Sequence, residues 1–392
     1  MSGFAKRQNV AAVFDKVKRP AYRMAPVDGM AARPRVFARV VFGSLLVGAG
    51  LAVGVGIAEI ALRAFGVGGR ATDLRGLHEV HPERPWLYGM RPGAEVVAGG
   101  VRYGTNAEGF RDRPHARPKP RGTFRVVVLG DSIAFGYGVP VERAFPQLIE
   151  QALAGSSPPI DVVNLAVSGY NPYTEAALLA DVGLSYEPDL VLVEFCINDL
   201  NDPTLHFDAS TFTALANLPD EAFPPPRRAA PRPALSPADG LCERLRTCTV
   251  ARDLLFPRAL DGSVVAGTLA PHEEPSDGEI AWLRARYGEM AQAAASAGAR
   301  VAIVVFPWAT QMDPRTSGHL EERLVGLGRD AGWPVIDLLP AFRAATARGE
   351  GPLFVDLWHP TPLGHRVAAD AVLSALRRAR LLPPAPSTHE GP

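Results

Sequence analysis

The stretch Phe124–Val139, FRVVVLGDSIAFGYGV, decides the fold. Val126 to Gly130 form a short apolar run closed by a glycine, which predicts a parallel strand buried on both faces. Asp131 and Ser132 follow at once, and a small and aromatic segment then reaches Gly136 and Gly138. A serine at the carboxyl end of a central strand sits where open α/β sheets place their ligands. Its hydroxyl, on a tight turn beside a helix start that favours developing negative charge, is placed for attack. Alone, a strand-end serine is as readily a helix cap, so the weight falls on what surrounds it.

Outward from that stretch the chain alternates. Ala144–Ala154 has helical spacing through Phe145, Leu148, Ile149 and Leu153, and Ile160–Val167 is a β-branched run ending in Ser168-Gly169-Tyr170-Asn171. Pro172–Tyr186 reads as a second helix, and Asp189–Phe195 as a third buried strand ending in Cys196-Ile197-Asn198-Asp199. Strand and helix in alternation predict a parallel sheet with right-handed crossovers. The pattern breaks over Asp202–Pro275, which is proline-rich and holds one helical stretch at Leu241–Phe256. It then resumes with helix Asp277–Ala297, strand Val301–Phe306, helix Gly318–Ala331, strand Pro334–Asp337 and helix Leu363–Leu381. The break is therefore an insertion.

Gly130-Asp131-Ser132 with Gly136, then Gly169, Asn198 with Asp199, and Asp356-x-x-His359 stand in series, the first three at strand ends. In that order they resemble the blocks of the SGNH (GDSL-type) esterase/lipase family. The G-x-S-x-G elbow of α/β-hydrolases is absent. The resemblance covers about Phe124 to Arg380 apart from the insertion. With the alternation it implies an α/β fold, a three-layer α/β/α flavodoxin-like sandwich around a parallel sheet. It implies Ser132 as nucleophile, His359 as base and Asp356 as the carboxylate that orients it. It also implies an oxyanion hole from the N–H groups of Ser132 and Gly169 and the side-chain amide of Asn198. These are the parts that serine-based ester cleavage needs. Cys196 stands where the family usually has glycine, which bears on the local backbone. Asn106-Ala107-Glu108-Gly109-Phe110-Arg111-Asp112 resembles a stretch found upstream of the first block in membrane-anchored members, with structural support as its expected role. Asp131 and Asp199 are expected in turns rather than as a glycosidase pair, and His365 as a structural residue of the last helix.

Residues 40–58 carry no charge and are bounded by Arg39 and Glu59. At about 1.5 Å per residue they nearly span a hydrocarbon core of about 30 Å. Nine basic and two acidic residues precede them, which sets the amino terminus inside and the remainder outside the cytoplasm. The expected organisation is a basic tail 1–39, a transmembrane signal-anchor helix 40–60, a linker and small extension 61–120 with a hairpin around Val96–Tyr103, a hydrolase domain 121–382 carrying the insertion 202–275, and a tail 383–392. Lysine plus arginine equals aspartate plus glutamate at 41 each, so no overall field marks a nucleic-acid binder.

Three cysteines are few. Cys242 and Cys248 lie in the exported part, where a bridge is allowed. On one continuous helix, six residues apart, they would face different sides, so a bridge requires an interruption. Cys196 is expected as a small buried hydrophobe. The leading reading is a membrane-anchored serine esterase acting outside the cytoplasm on acetyl or short acyl esters of a small molecule or glycan, and it calls for no cofactor and no metal. An O-acyltransferase modifying an envelope polysaccharide uses the same residues, with a sugar hydroxyl in place of water. A non-catalytic binding protein on the hydrolase fold is the reading from a different class.

Overall fold

A computed structural model describes residues 33–64, 74, 76–200, 245, 247–248, 274–316 and 318–384. Most of the insertion, including most of its expected helix at 241–256, and the tail from 385 lie outside the described residues. By internal contacts the chain divides into two units, 1–58 and 59–392.

The first helix, α1, runs Arg33–Ala64. Its stretch Ala38–Leu62, 25 residues with a mean hydropathy of 2.2, is long and apolar enough to cross a membrane. Leu45, Leu46, Leu51, Ile57 and Ile60 along it are all exposed. The helix exceeds the uncharged 40–58 because arginine and glutamate are themselves good helix formers.

The second unit is built on five parallel strands: β5 Phe124–Leu129, β6 Ile160–Asn164, β7 Leu190–Phe195, β8 Arg300–Val305 and β9 Val335–Asp337, in the order β6-β5-β7-β8-β9. That is the flavodoxin-like order. Every residue of β7 is buried, as are Val126–Leu129 of β5, so these strands read as apolar runs, broken only by Glu194 of β7. Each fully buried Val or Leu contributes about 1.5–3 kcal/mol. One helical layer holds α4 Pro172–Asp181, α5 Asp277–Ser296 and α6 His319–Ala331; the other holds α3 Phe145–Ala152, α7 Leu339–Ala347 and α8 Pro362–Arg378. The chain leaves β5 for β6 on one side and returns to β7 on the other. The crevice at this reversal is where doubly wound sheets hold ligands.

Two local differences from the sequence reading have clear causes. The helix expected over Pro172–Tyr186 ends at Asp181 and continues as a separate turn Gly183–Tyr186. A Cβ at Gly183 would lie 2.9 Å from Leu179 Cδ1, so the chain packs too closely there for a regular side chain. Helix α7 was not expected, because Pro340 near its start and its nine-residue length leave little periodicity to read.

Ahead of the sheet, residues 76–120 are an ordered extension. Strands β1 His78–Val80 and β2 Tyr88–Met90 pair antiparallel, and β3 Glu95–Ala98 with β4 Val101–Gly104 form the expected hairpin through Gly99-Gly100. Its cationic anchor is buried: Arg125 Nε donates to Asp161 Oδ2 (2.8 Å), and His115 lies between Asp112 and Asp161, 3.0 Å from each. Cys248 is disulfide-bonded, while Cys196 is a free, buried thiol. Cys242 lies outside the described residues.

Candidate active site

Helix α2, Ser132–Phe135, starts directly after β5. Asp131 caps it, its Oδ1 accepting from the Ile133 N–H at 2.8 Å. Asp131 thus has the turn role expected of it. Gly130 is required by close approach, since a Cβ would lie 2.7 Å from Glu194 Oε2 and 2.8 Å from Ala134 Cβ. Glu194, on β7, accepts from the Asp131 N–H at 3.1 Å. Burial, with Asp131 and Asp199 nearby, holds its carboxyl far above the usual range.

The Ser132 Oγ lies 2.8 Å from His359 Nε2. His359 Nδ1 in turn lies 2.7 Å from Asp356 Oδ2. The other carboxylate oxygen, Oδ1, accepts from the N–H groups of Trp358 (2.9 Å) and His359 (2.8 Å). The three-residue spacing therefore closes a local turn as well as reaching the imidazole. Burial works against the Asp356 charge, but the imidazole and these two N–H donors outweigh it and hold the carboxyl below its ordinary value. The Tyr137 ring packs on the imidazole with centroids 4.3 Å apart.

The turns after three adjacent strands converge at the same end of the sheet. The Val167 N–H donates to the Gly130 carbonyl at 3.1 Å, which sets the Ser168-Gly169 turn beside the serine turn. Gly169 has φ +87°. Neither its N–H nor that of Ser132 donates to another group of the described residues. Asn198 stands on the short helical turn Ile197–Leu200 directly after β7. Asp199 Oδ2 accepts from the Cys196 N–H at 3.0 Å and so closes that turn. Cys196 has no positive φ, so a side chain is tolerated where the family usually has glycine. His365 is buried, takes the Phe145 N–H on Nδ1 at 3.3 Å, and is pushed down to about 3 by burial and the neighbouring His359 and Arg111; its role is structural, as expected.

The residues 128–367 match the model of the GDSL-like Lipase/Acylhydrolase family. The chain belongs to this family. An arylesterase of Vibrio mimicus is 36% identical over 75 residues, which are 19% of this chain and 38% of that protein. The chain thus spans well under half of the length of that relative. Among solved structures, the acetyl xylan esterase AlAXEase is similar at 16% identity and a TM-score of 0.40, covering 64% of this chain and 100% of that one. The psychrotrophic esterase EstA from Pseudoalteromonas sp. is similar at 13% identity and a TM-score of 0.38, covering 66% and 99%.

Arg111, read from the sequence only as part of a supporting stretch, and Asn164, not singled out there, both hold the serine turn. Arg111 is buried beneath the serine turn, with Nη1 donating to the carbonyls of Phe135 (3.0 Å) and Gly136 (2.6 Å), and Nη2 to those of Val139 (2.9 Å) and Arg102 (3.2 Å). Its guanidinium lies 4.5 Å from the Tyr103 ring centroid. Burial lowers it to about 10, opposed by Tyr103 and Glu142, so it stays charged at neutral pH. Asn164 at the end of β6 donates to the Ala134 carbonyl at 2.8 Å. The signal for Arg111 was the 106–112 stretch, whose Asn106 Oδ1 caps the N–H groups of Glu108 and Phe110. That stretch supports the serine turn from below.

Proposed function

We propose that the chain is an ester hydrolase working through an acyl-enzyme on Ser132. The observation that carries this reading is the hydrogen-bonded series Ser132–His359–Asp356 inside the family match. His359 Nε2 takes the hydroxyl proton as Oγ attacks the ester carbonyl, and the Asp356 carboxylate stabilises the imidazolium. The N–H groups of Ser132 and Gly169 and the Asn198 amide meet the oxyanion. Collapse expels the alcohol, which takes the proton from His359. Water then attacks the acyl-enzyme with the same base, releasing the acid and restoring Ser132.

The substrates proposed are acetyl or short acyl esters, in keeping with a Ser132 only 9% exposed beside the packed Tyr137. The domain proposed is 121–382, held to a membrane by α1 with the basic amino terminus in the cytoplasm and the catalytic part outside. Full-length protein in detergent should hydrolyse p-nitrophenyl acetate and butyrate faster than octanoate or laurate. Ser132→Ala should lose roughly 10⁴-fold or more of that activity with folding intact. Retained activity in that variant sinks the mechanism; faster turnover of long chains sinks the substrate class. Amino-terminal sequencing of membrane-bound protein should find the chain uncleaved, whereas a start beyond residue 58 makes α1 a removed signal.

A further inference from the structure

Gly169 takes a φ of +87°, a region that favours glycine, and has no side chain to hold it in place. An N–H at such a residue needs its direction fixed from elsewhere. Both peptide planes that flank Gly169 are held by the β1–β2 hairpin. His78 Nε2 lies 3.3 Å from the Ser168 carbonyl oxygen. The amide is planar and trans, so that carbonyl and the Gly169 N–H share one plane and point in opposite directions. Fixing the first therefore aims the second. On the other side, the Tyr88 hydroxyl donates to the Gly169 carbonyl at 2.6 Å.

The hairpin is itself locked to this turn. The Tyr170 hydroxyl donates to the Tyr88 carbonyl at 2.5 Å, and the two rings meet edge to face with centroids 5.1 Å apart. Both phenols are buried, and burial raises both, so they remain protonated donors across the working pH range. Residues 78 and 88 lie before the stretch matched by the family, 128–367.

We propose that the β1–β2 hairpin aims the Gly169 N–H at the oxyanion, with His78 and Tyr88 as positioning residues that touch neither substrate nor the reacting atoms. The inference rests on the esterase reading above. A misaimed donor weakens the transition state and leaves ground-state binding alone, so the effect falls on kcat and not on KM.

The test uses full-length protein in detergent with p-nitrophenyl acetate. Tyr88→Phe keeps the ring and removes the hydrogen bond donated to the Gly169 carbonyl; His78→Ala removes the contact to the Ser168 carbonyl. Each should lower kcat roughly tenfold to a hundredfold with KM within about twofold. His78→Gln, whose amide can donate to the Ser168 carbonyl, should recover most of the loss, which a merely structural histidine does not predict. Should Tyr88→Phe fail to fold, the half-buried His78 pair decides alone. Unchanged kcat in His78→Ala, or an equal loss in His78→Gln, overturns the proposal. Ser132→Ala run beside them separates the two readings. Activity that survives in that variant defeats the esterase reading, whereas Ser132-dependent activity indifferent to both hairpin changes defeats only the positioning role.

Discussion

The turn that carries His359 and the turn that carries Gly169 are held by opposite means. The first is closed by its own residues: Asp356 Oδ1 takes two N–H groups within three positions, and the Val355 N–H donates to the His359 carbonyl at 2.8 Å. The second is held by His78 and Tyr88, 90 and 81 positions away from the carbonyls they engage. The serine turn lies between these cases. Asp131 caps it locally, and Arg111 gathers its carbonyls from 24 to 28 positions upstream. A locally closed turn survives changes elsewhere in the chain, whereas a remotely held one inherits the stability of whatever holds it.

The sharpest probe of the local turn is Asp356→Asn. The side-chain oxygen that accepts the two N–H groups can be kept, while the charge facing the imidazole is lost. Activity should fall by up to about 10⁴-fold with little change in the thermal midpoint. A large loss of stability would show that the turn depends on the charge and is not locally closed.

Arg111→Met tests the remote hold on the serine turn. It removes the partner of four carbonyls, three of them in buried contacts. Leaving buried acceptors unpaired costs about 1–3 kcal/mol each, so a loss of at least about 3 kcal/mol in urea unfolding is expected. Arg111→Lys should recover part of it, because one ammonium cannot reach all four oxygens at once. A loss under about 1 kcal/mol for the methionine variant would mean that the turn holds itself.

The smallest effect concerns how the extension is anchored. Burial opposes the charge on His115, but hydrogen bonds and attraction from Asp112 and Asp161 raise it to about 9. A raised folded value contributes stability that is fully present below the ordinary histidine range and is lost as pH rises through about 9. The thermal midpoint should therefore decline between about pH 6.5 and 9, and His115→Gln should flatten that decline. An unchanged slope in the variant would remove His115 from the anchor.

The sequence by itself determined what depends on neighbours along the chain. The apolar runs with their terminal glycine and serine, the strand–helix alternation, and the Asp356-x-x-His359 spacing are all short-range patterns, and each is in place in the fold. The parallel direction of the strands followed from the alternation, because a helix between two strands carries the chain back to the same end of the sheet. Helix α7, the broken end of the helix after Pro172, and the work of Arg111, Tyr88 and Asn164 were decided by tertiary structure. A lone tyrosine at 88 or histidine at 78 has no periodicity and no local partner to read. Each acquires its role only when a hairpin far upstream meets the turn after β6, since hydrogen bonds across 80 to 90 positions leave no mark on the residues between them.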